Sequence, residues 1–435
     1  MSHLYEVVCN INKVLLRGFL FVVLFGLGAS IASADTMVLK AGGWLDVRSG
    51  KVLKPAYIEV DGVEIVSVGT KIQKKENQKI IDLGDAVLLP GLMDMHTHIT
   101  APDNVGQSLK DVILTPADSA LIGVANARKT LRAGFTTIRD VGAFGFADVS
   151  LARAINIGLV PGPDIFPAAH AIGIIGGHCD KTGYAPGIIE TDYKTGIATG
   201  VDGLTAAVRY QVQYGAKVIK ICATAGVLSY TDNVGNQQLS DEEIRAIVVE
   251  AERHGIGVAA HAHGAKGIKA AVNAGVASIE HGSILTDEII ELMKAKGTFL
   301  VPTEYLVEAL NYDALPEILR IKARHILPMA AKSTSRAIKA GVRIAFGTDA
   351  AVFPHGDNAR EFATLVGLGM SEIDAIQSAT VNSAELLRIN DRGEIAVGKL
   401  ADIIAVRKNP LEDIRTLENV VFVMKSGVIH KNILQ

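Results

Sequence analysis

"GLMDMHTHIT", residues 91–100, closes an apolar run with two histidines one residue apart. In a strand, residues i and i+2 face the same side, so His96 and His98 can converge on one point. Taken alone, the pair suits a polar strand end as well as a metal site. The rest of the chain decides between the two.

Outward from this stretch, apolar runs alternate with helical patterns from about Gly91 to Ile389, as in an α/β fold with a parallel sheet. Eight runs read as strands: "LLPGLMDMHTH", "FTTIRDVG", "DIFPAAHAIG", "VIKICATAG", "GVAAHAHG", "ASIEHGS", "TFLVPTE" and "RIAFGTDA". Helix-like stretches separate several of them. In "SDEEIRAIVVEAERHG", Ser240 precedes Glu243 by three residues, the pattern of a capping box. The expectation is a (β/α)8 TIM-type barrel over residues 91–389, with its chemistry at the C-terminal ends of the strands. The flanking segments, 35–90 and 390–435, alternate β-branched residues with Gly and Asp punctuation. They are expected to pack together as one small composite β-sandwich.

The first 34 residues have a different character. Lys13 and Arg17 precede "GFLFVVLFGLGASIASA", and Ala32-Ser33-Ala34 offers small residues to a signal peptidase. This predicts a cleaved signal peptide and a periplasmic or secreted mature chain. The alternative is a retained N-terminal anchor, although the strongly apolar part is shorter than the roughly 20 residues a spanning helix needs.

Hydrophobic residues make up 49% and charged residues 20% of the 435-residue chain, a globular composition. The formal charge of −3 offers no basic footprint for nucleic acid. Once Cys9 leaves with the signal, Cys179 and Cys222 remain. Two thiols are too few for a disulfide framework and fall at separate strand ends, so both are expected to be free and buried.

The polar residues collect at the strand ends. His96 and His98 end strand 1, His178 and Asp180 follow strand 3, and Lys220 lies inside strand 4. His261 and His263 end strand 5, His281 ends strand 6 and Asp349 ends strand 8. A lysine between isoleucines should not stay buried with an unpaired charge. Lys220 either snorkels to the rim, as Lys217 can, or its neutral amine has added carbon dioxide. The resulting carbamate, an anionic bidentate group able to bridge two cations, is favoured by the other donors nearby. His96, His98 and Asp349 are then expected to hold one divalent ion, His261 and His281 a second, and Lys220 both. A hydroxide between two such ions can attack a carbonyl near neutral pH. Zinc is the first expectation, with cobalt and manganese equally compatible by ligand type.

"MDMHTH", "IKICATAG", "AAHAHG", "IEHGS" and "FGTDA" together resemble, in order and position, the binuclear pattern of the amidohydrolase superfamily. The flanking segments resemble its composite sandwich. Within the superfamily the chain is similar to the imidazolonepropionase-related branch. It looks most like bacterial zinc-dependent arginine/lysine carboxypeptidases and Xaa-Pro dipeptidases, with "GGHCD", "KICATAGV" and "FPHGDN" closer to the former. Lys220 argues against imidazolonepropionase activity. Ala225 stands where a second glycine is expected, and its methyl group would narrow the pocket beside strand 4.

The resemblance implies that Asp349 is both a ligand and the proton shuttle. It also implies that His263 and His178 contact the substrate carbonyl or the tetrahedral oxyanion. Asp180 and Asp357 are candidates for meeting a basic side chain, His355 for lining the site, and Arg360 for binding a carboxylate or pairing with Asp357. The expected activity is hydrolysis of L-Xaa-L-Arg or L-Xaa-L-Lys dipeptides. Xaa-Pro dipeptides, other N-acyl amino acids or cyclic amides are the alternative, and a non-catalytic binding barrel is a remote one. Small-molecule substrates, no membrane partner after cleavage and a homo-oligomer complete the expectation.

Overall fold

The computed structural model describes residues 36–72, 78–102, 108–230 and 233–434. The expected signal peptide lies outside the described residues. Seven barrel strands follow the order read from the sequence: β1 (Leu92–Thr97), β2 (Phe135–Asp140), β3 (Asp164–Pro167), β4 (Ile219–Cys222), β5 (Val258–Ala262), β6 (Ser278–His281) and β7 (Phe299–Val301). β1 to β3 form one parallel ladder and β4 to β7 another. Three parallel bridges close the ring: Ile172 with Ile221, Leu300 with Ile344, and Thr97 with Ala350.

The eighth stave, residues 344–350, completes the barrel without forming a regular strand. Met95 N donates to Phe346 O at 2.7 Å and Ala345 N to Leu300 O at 3.0 Å, so the ladder continues on both sides. Asp349 adopts a left-handed conformation with φ at 61°, which breaks the pleat where the chain turns into the site.

Strand alternation decides which side chains face inward. Ile219 and Ile221 join the main core together with Ile244, Ile247 and Ala271 of the surrounding helices, which leaves Lys220 on the opposite face of β4. In β5, Ala260 and Ala262 join the same core, and His261 takes the inner face. The helix Asp241–Arg253 starts as its capping box predicts. Ser240 Oγ accepts the N–H of Glu243 at 3.2 Å, and Glu243 Oε2 accepts the N–H of Ser240 at 2.8 Å.

The run "LLPGLMDMHTH" serves two layers. Val87–Pro90 pairs antiparallel with Ile403–Val406 in a six-stranded sheet, whereas β1 begins at Leu92 in the barrel. Gly91 makes the join, because a Cβ there would lie 2.1 Å from Thr136 Oγ1. A four-stranded sheet that includes Met37–Ala41 and Ala56–Asp61 packs on the six-stranded one. Leu39, Ile58, Leu88, Ile403 and Phe422 fill the space between them. The two chain ends thus build one sandwich. Among the described residues no helix is long and apolar enough to cross a membrane.

The cysteines are not free. Cys179 and Cys222 form a disulfide, with Cα atoms 5.7 Å apart. The segment after β3 turns back on itself once Ile172 has paired with Ile221, which returns Cys179 to the end of β4. Gly173 permits the approach, since a Cβ there would lie 2.9 Å from Cys179 Cβ.

Candidate metal centre

A cavity of about 490 Å³ opens at the C-terminal ends of the strands. His96, His98, Lys220, His261, His281 and Asp349 all line it. Asp94, His96 and His98 alternate with Met93 and Met95, which pack outward with Phe299 and Val301, so the i, i+2 spacing aims both imidazoles inward.

His96, His98 and Asp349 offer one ligand atom each within 4.8 Å of one another, the only such group among the described residues. Asp349 Oδ1 lies 3.5 Å from His96 Nε2 and 3.4 Å from His98 Nε2. Behind them, each Nδ1 is engaged. His96 Nδ1 donates to Glu280 Oε2 at 2.8 Å and His98 Nδ1 to the Gly142 carbonyl at 2.9 Å. These acceptors select the tautomer that leaves both Nε2 lone pairs facing the cavity.

The second group sits on β4 to β6. His261 and His281 have ring centroids 4.9 Å apart. His281 Nδ1 lies 2.8 Å from Thr303 Oγ1, whose own proton goes to the Pro302 carbonyl at 2.7 Å. The threonine therefore accepts from His281, and its Nε2 is again the free atom. His261 Nε2 is buried and has no partner among the described residues. Leaving such an atom unsatisfied costs about 1–3 kcal/mol unless a ligand takes it, and a metal ion suits the neighbouring donors. His281, Thr303 and Asp349 all have positive φ, at 69°, 58° and 61°, backbone strain of a kind that gathers at functional sites.

Burial dominates the electrostatics. It lowers the pKa of His96 to about 4, with Lys220 adding to the effect, and takes His261 and His281 well below the ordinary imidazole value. Burial works against charging His98 as well, but Asp349 beside it wins and raises that pKa. Asp349 is held well below the carboxylate range by His96 and His98, against the effect of its burial. Lys220 is brought down to about 8 by burial, with Glu280 and Asp349 opposing.

His178 lines the cavity as well. Its ring lies 4.2 Å from that of His261, and its Nδ1 is 2.8 Å from Ser229 Oγ. His263 is buried one layer away, with Nδ1 2.7 Å from Ser283 Oγ and its ring stacked on His281 at 5.1 Å. Asp180 reaches the cavity wall, yet its carboxylate accepts from Gly176 N, Lys181 N and Thr191 Oγ1 at 2.7–2.8 Å.

His355 and Asp357 do not reach the cavity wall. Asn358 anchors their loop to Asp94 at 2.8 Å, which places His355 behind His98, 3.3 Å from its carbonyl oxygen. Asp357 is exposed and lies 4.0 Å from Arg360. Ala225 does not narrow the pocket either. It is fully buried, outside the cavity lining, with its N–H on the Asn236 carbonyl at 2.8 Å. The neighbouring Gly226 is the position that touches the site, because a Cβ there would lie 2.3 Å from His178 Cε1.

Sequence reading passed over Glu280 and Arg139. Arg139 Nη2 donates to Glu280 Oε1 at 2.8 Å, and Arg139 Nε donates to the Met95 carbonyl at 2.6 Å. The pair thereby supports the strand that carries His96. Their signal is the one that exposed Lys220, a charged residue inside an apolar strand, in "TIRDV" and "SIEHG".

The amidohydrolase family model matches residues 87–431, spanning the barrel and part of the sandwich. The chain belongs to the amidohydrolase family. An ochratoxinase from Aspergillus niger is 37% identical over 93% of this chain and 88% of its own length. The structure of a Xaa-Pro dipeptidase with methionine bound in the active site superposes with a TM-score of 0.87 at 40% identity, over 91% of this chain and 100% of that one. A prolidase complexed with N-methylphosphonate-L-proline gives 0.84 at 32% identity, over 91% and 100%. As an amidohydrolase, this protein is a metal-dependent enzyme that hydrolyses amide bonds. None of these three relatives is named for releasing arginine or lysine.

Proposed function

We propose that the enzyme hydrolyses the amide bond of small N-acyl amino acids, with dipeptides ending in proline or an apolar residue as its preferred substrates. The cavity carries this reading. Beside the donor cluster its wall presents Leu114, Phe144, Leu228, Tyr230, Leu319 and Val352, side chains that favour an apolar group over a charged one. Release of arginine or lysine, the first expectation from the sequence, has less support. Asp180 is engaged in three hydrogen bonds, and Asp111 at the same wall is held by Lys181 at 2.6 Å and Tyr184 at 2.9 Å. Glu190, a third carboxylate of the lining, accepts the Gly187 N–H at 3.1 Å, so a basic substrate would have to compete for each of the three. The names of the similar proteins point the same way.

His96, His98 and Asp349 would hold one divalent ion, zinc by preference, and His261 and His281 a second, with Lys220 shared as its carbamate. The amine of Lys220 forms that group by attacking carbon dioxide and releasing a proton. When bound, such ions polarise the scissile carbonyl and lower the pKa of the attacking water. Asp349 takes the proton of that water on a carboxylate oxygen and passes it to the leaving amine nitrogen. His178, with Nδ1 against Ser229 Oγ, would present Nε2–H as a donor to the carbonyl oxygen as negative charge develops there. His263, stacked on His281 behind the cavity lining, would support that ligand and not touch substrate. We also propose that the mature chain is exported. The Cys179–Cys222 bridge supports this, because disulfides persist in oxidising compartments.

The test is kcat/KM of the zinc-loaded protein on dipeptides that share an N-terminal residue and vary the C-terminal one. Proline, methionine and phenylalanine should exceed arginine and lysine by about tenfold or more. A reversed order would discard the apolar pocket, and turnover of no dipeptide would discard peptides as the substrate class.

A further inference from the structure

The disulfide occupies an unusual place. Cys222 lies two residues beyond Lys220 on β4, on the same inward face, and pairs in register with His261. Cys179 directly follows His178, and both sulfur-bearing residues line the cavity with the candidate ligands. One covalent link therefore joins the strand of the metal cradle to the loop that carries His178.

The loop leaves and re-enters the barrel at one point. Gly173 bridges to Ile197, and among residues 174–196 only Tyr193–Thr195 form a helical turn. Between those ends His178 is set from several sides. Its N–H donates to Gln238 Oε1 at 2.9 Å, its Nδ1 meets Ser229 Oγ, and its ring lies against Gly226 where no side chain would fit. Its neighbour is the residue bonded to β4. The Gln238 link also reaches the end of β4, since Gln238 N donates to the Ala223 carbonyl at 2.9 Å, but the disulfide is the covalent tie between this backbone and β4.

We propose that Cys179 and Cys222 are positioning residues, and that their disulfide holds His178 at reacting distance from a substrate in the cavity. The proposal rests on the substrate-contacting role given to His178 above. Reduction would free the loop at its functional end and leave the ligands His96, His98, His261, His281 and Asp349 in place, so the enzyme keeps its metal and loses rate. A phosphine can perform the reduction in the open cavity. It takes its oxygen from water to become the phosphine oxide, and the two electrons it gives up cleave the S–S bond to two thiols. Oxidised glutathione reverses this by thiol–disulfide exchange, releasing two molecules of reduced glutathione.

The experiment treats the zinc-loaded enzyme with a water-soluble phosphine, because a dithiol would also chelate the metal. It follows free thiols, bound zinc, far-ultraviolet circular dichroism and kcat/KM on the best dipeptide of the panel. Reduction should lower kcat/KM about tenfold or more, chiefly through kcat, since small misplacements of a reacting group are costly. Zinc content and circular dichroism should not change, and oxidised glutathione should restore the rate. Cys179→Ser should show the same loss and no response to phosphine. Full activity with both thiols free would overturn the proposal, as would a loss that tracks the departure of zinc or unfolding.

His178→Ala separates this proposal from the reading on which it rests. That variant should be slow already, and reduction should slow it no further. A His178→Ala enzyme at the wild-type rate would refute the role of His178. A slow one that loses another tenfold on reduction would show the bridge acting elsewhere and would refute the positioning claim alone.

Discussion

Glu280 Oε2 accepts the Nδ1–H of His96 at 2.8 Å, from the inner face of β6 to that of β1. The other oxygen of Glu280 is taken by Arg139 at 2.8 Å. Arg139 and His96 hold the Glu280 pKa at about 2 although burial acts to raise it. The carboxylate thus stays ionised and keeps the His96 tautomer that presents Nε2 to the cavity.

Replacing this carboxylate should weaken metal binding more than the fold. Glu280→Gln keeps the shape and removes the charge, and the affinity for zinc should fall about 10–100-fold. Competition with a chromophoric chelator measures it. Wild-type affinity would mean that the Glu280 contact does not tune the ligand.

Two lysines three residues apart should behave in opposite ways. Lys220 is 4% exposed in the cavity wall, whereas Lys217 is exposed outside it. Lys220→Ala should lose at least about a hundredfold in kcat/KM and part of the bound metal, while Lys217→Ala should stay within about twofold of the wild type. Metal analysis beside the kinetics checks both, and intact activity in Lys220→Ala would remove the carbamate from the mechanism.

Asp180 at the wall should matter for loop order and not for substrate choice. Asp180→Asn loses charge-assisted hydrogen bonds to Gly176 and Lys181. KM should rise severalfold for all dipeptides alike, with the ratio of proline to arginine substrates unchanged. A selective loss of arginine turnover would restore the acidic-pocket reading.

Stability should fall with rising pH through one buried acid. Glu304, just beyond β7, is 2% exposed, and its Oε2 has no partner among the described residues. Burial raises its pKa to about 8, against the hydrogen bond from Thr334. A folded-state pKa above the unfolded value of 4.5 means stability that is fully present below that value and lost as pH rises through about 8. Glu304→Gln removes the titration and keeps an acceptor for Thr334. By denaturant unfolding the variant should match the wild type near pH 4.5 and be more stable near pH 9, by on the order of a few kcal/mol. A gap of equal size at both pH values would assign the effect to packing.

The barrel, its strand order and the inward set of six candidate ligands were legible in the sequence because each rests on a local rule. Period-two alternation aims His96 and His98 together, and the same rule puts Lys220 between two outward isoleucines. Strand ends collect polar groups because that is where a barrel opens to water. Only the tertiary structure decided what depends on residues far apart in the chain meeting in space. It paired Cys179 with Cys222 across 43 positions, because the segment after β3 folds back along β4. Asn358, anchored on Asp94, kept His355 and Asp357 out of the cavity. The glycine that matters under His178 became Gly226 and not position 225. It also set Glu280 and Arg139 beneath the histidines, since two buried charges from different strands are stable only when they meet.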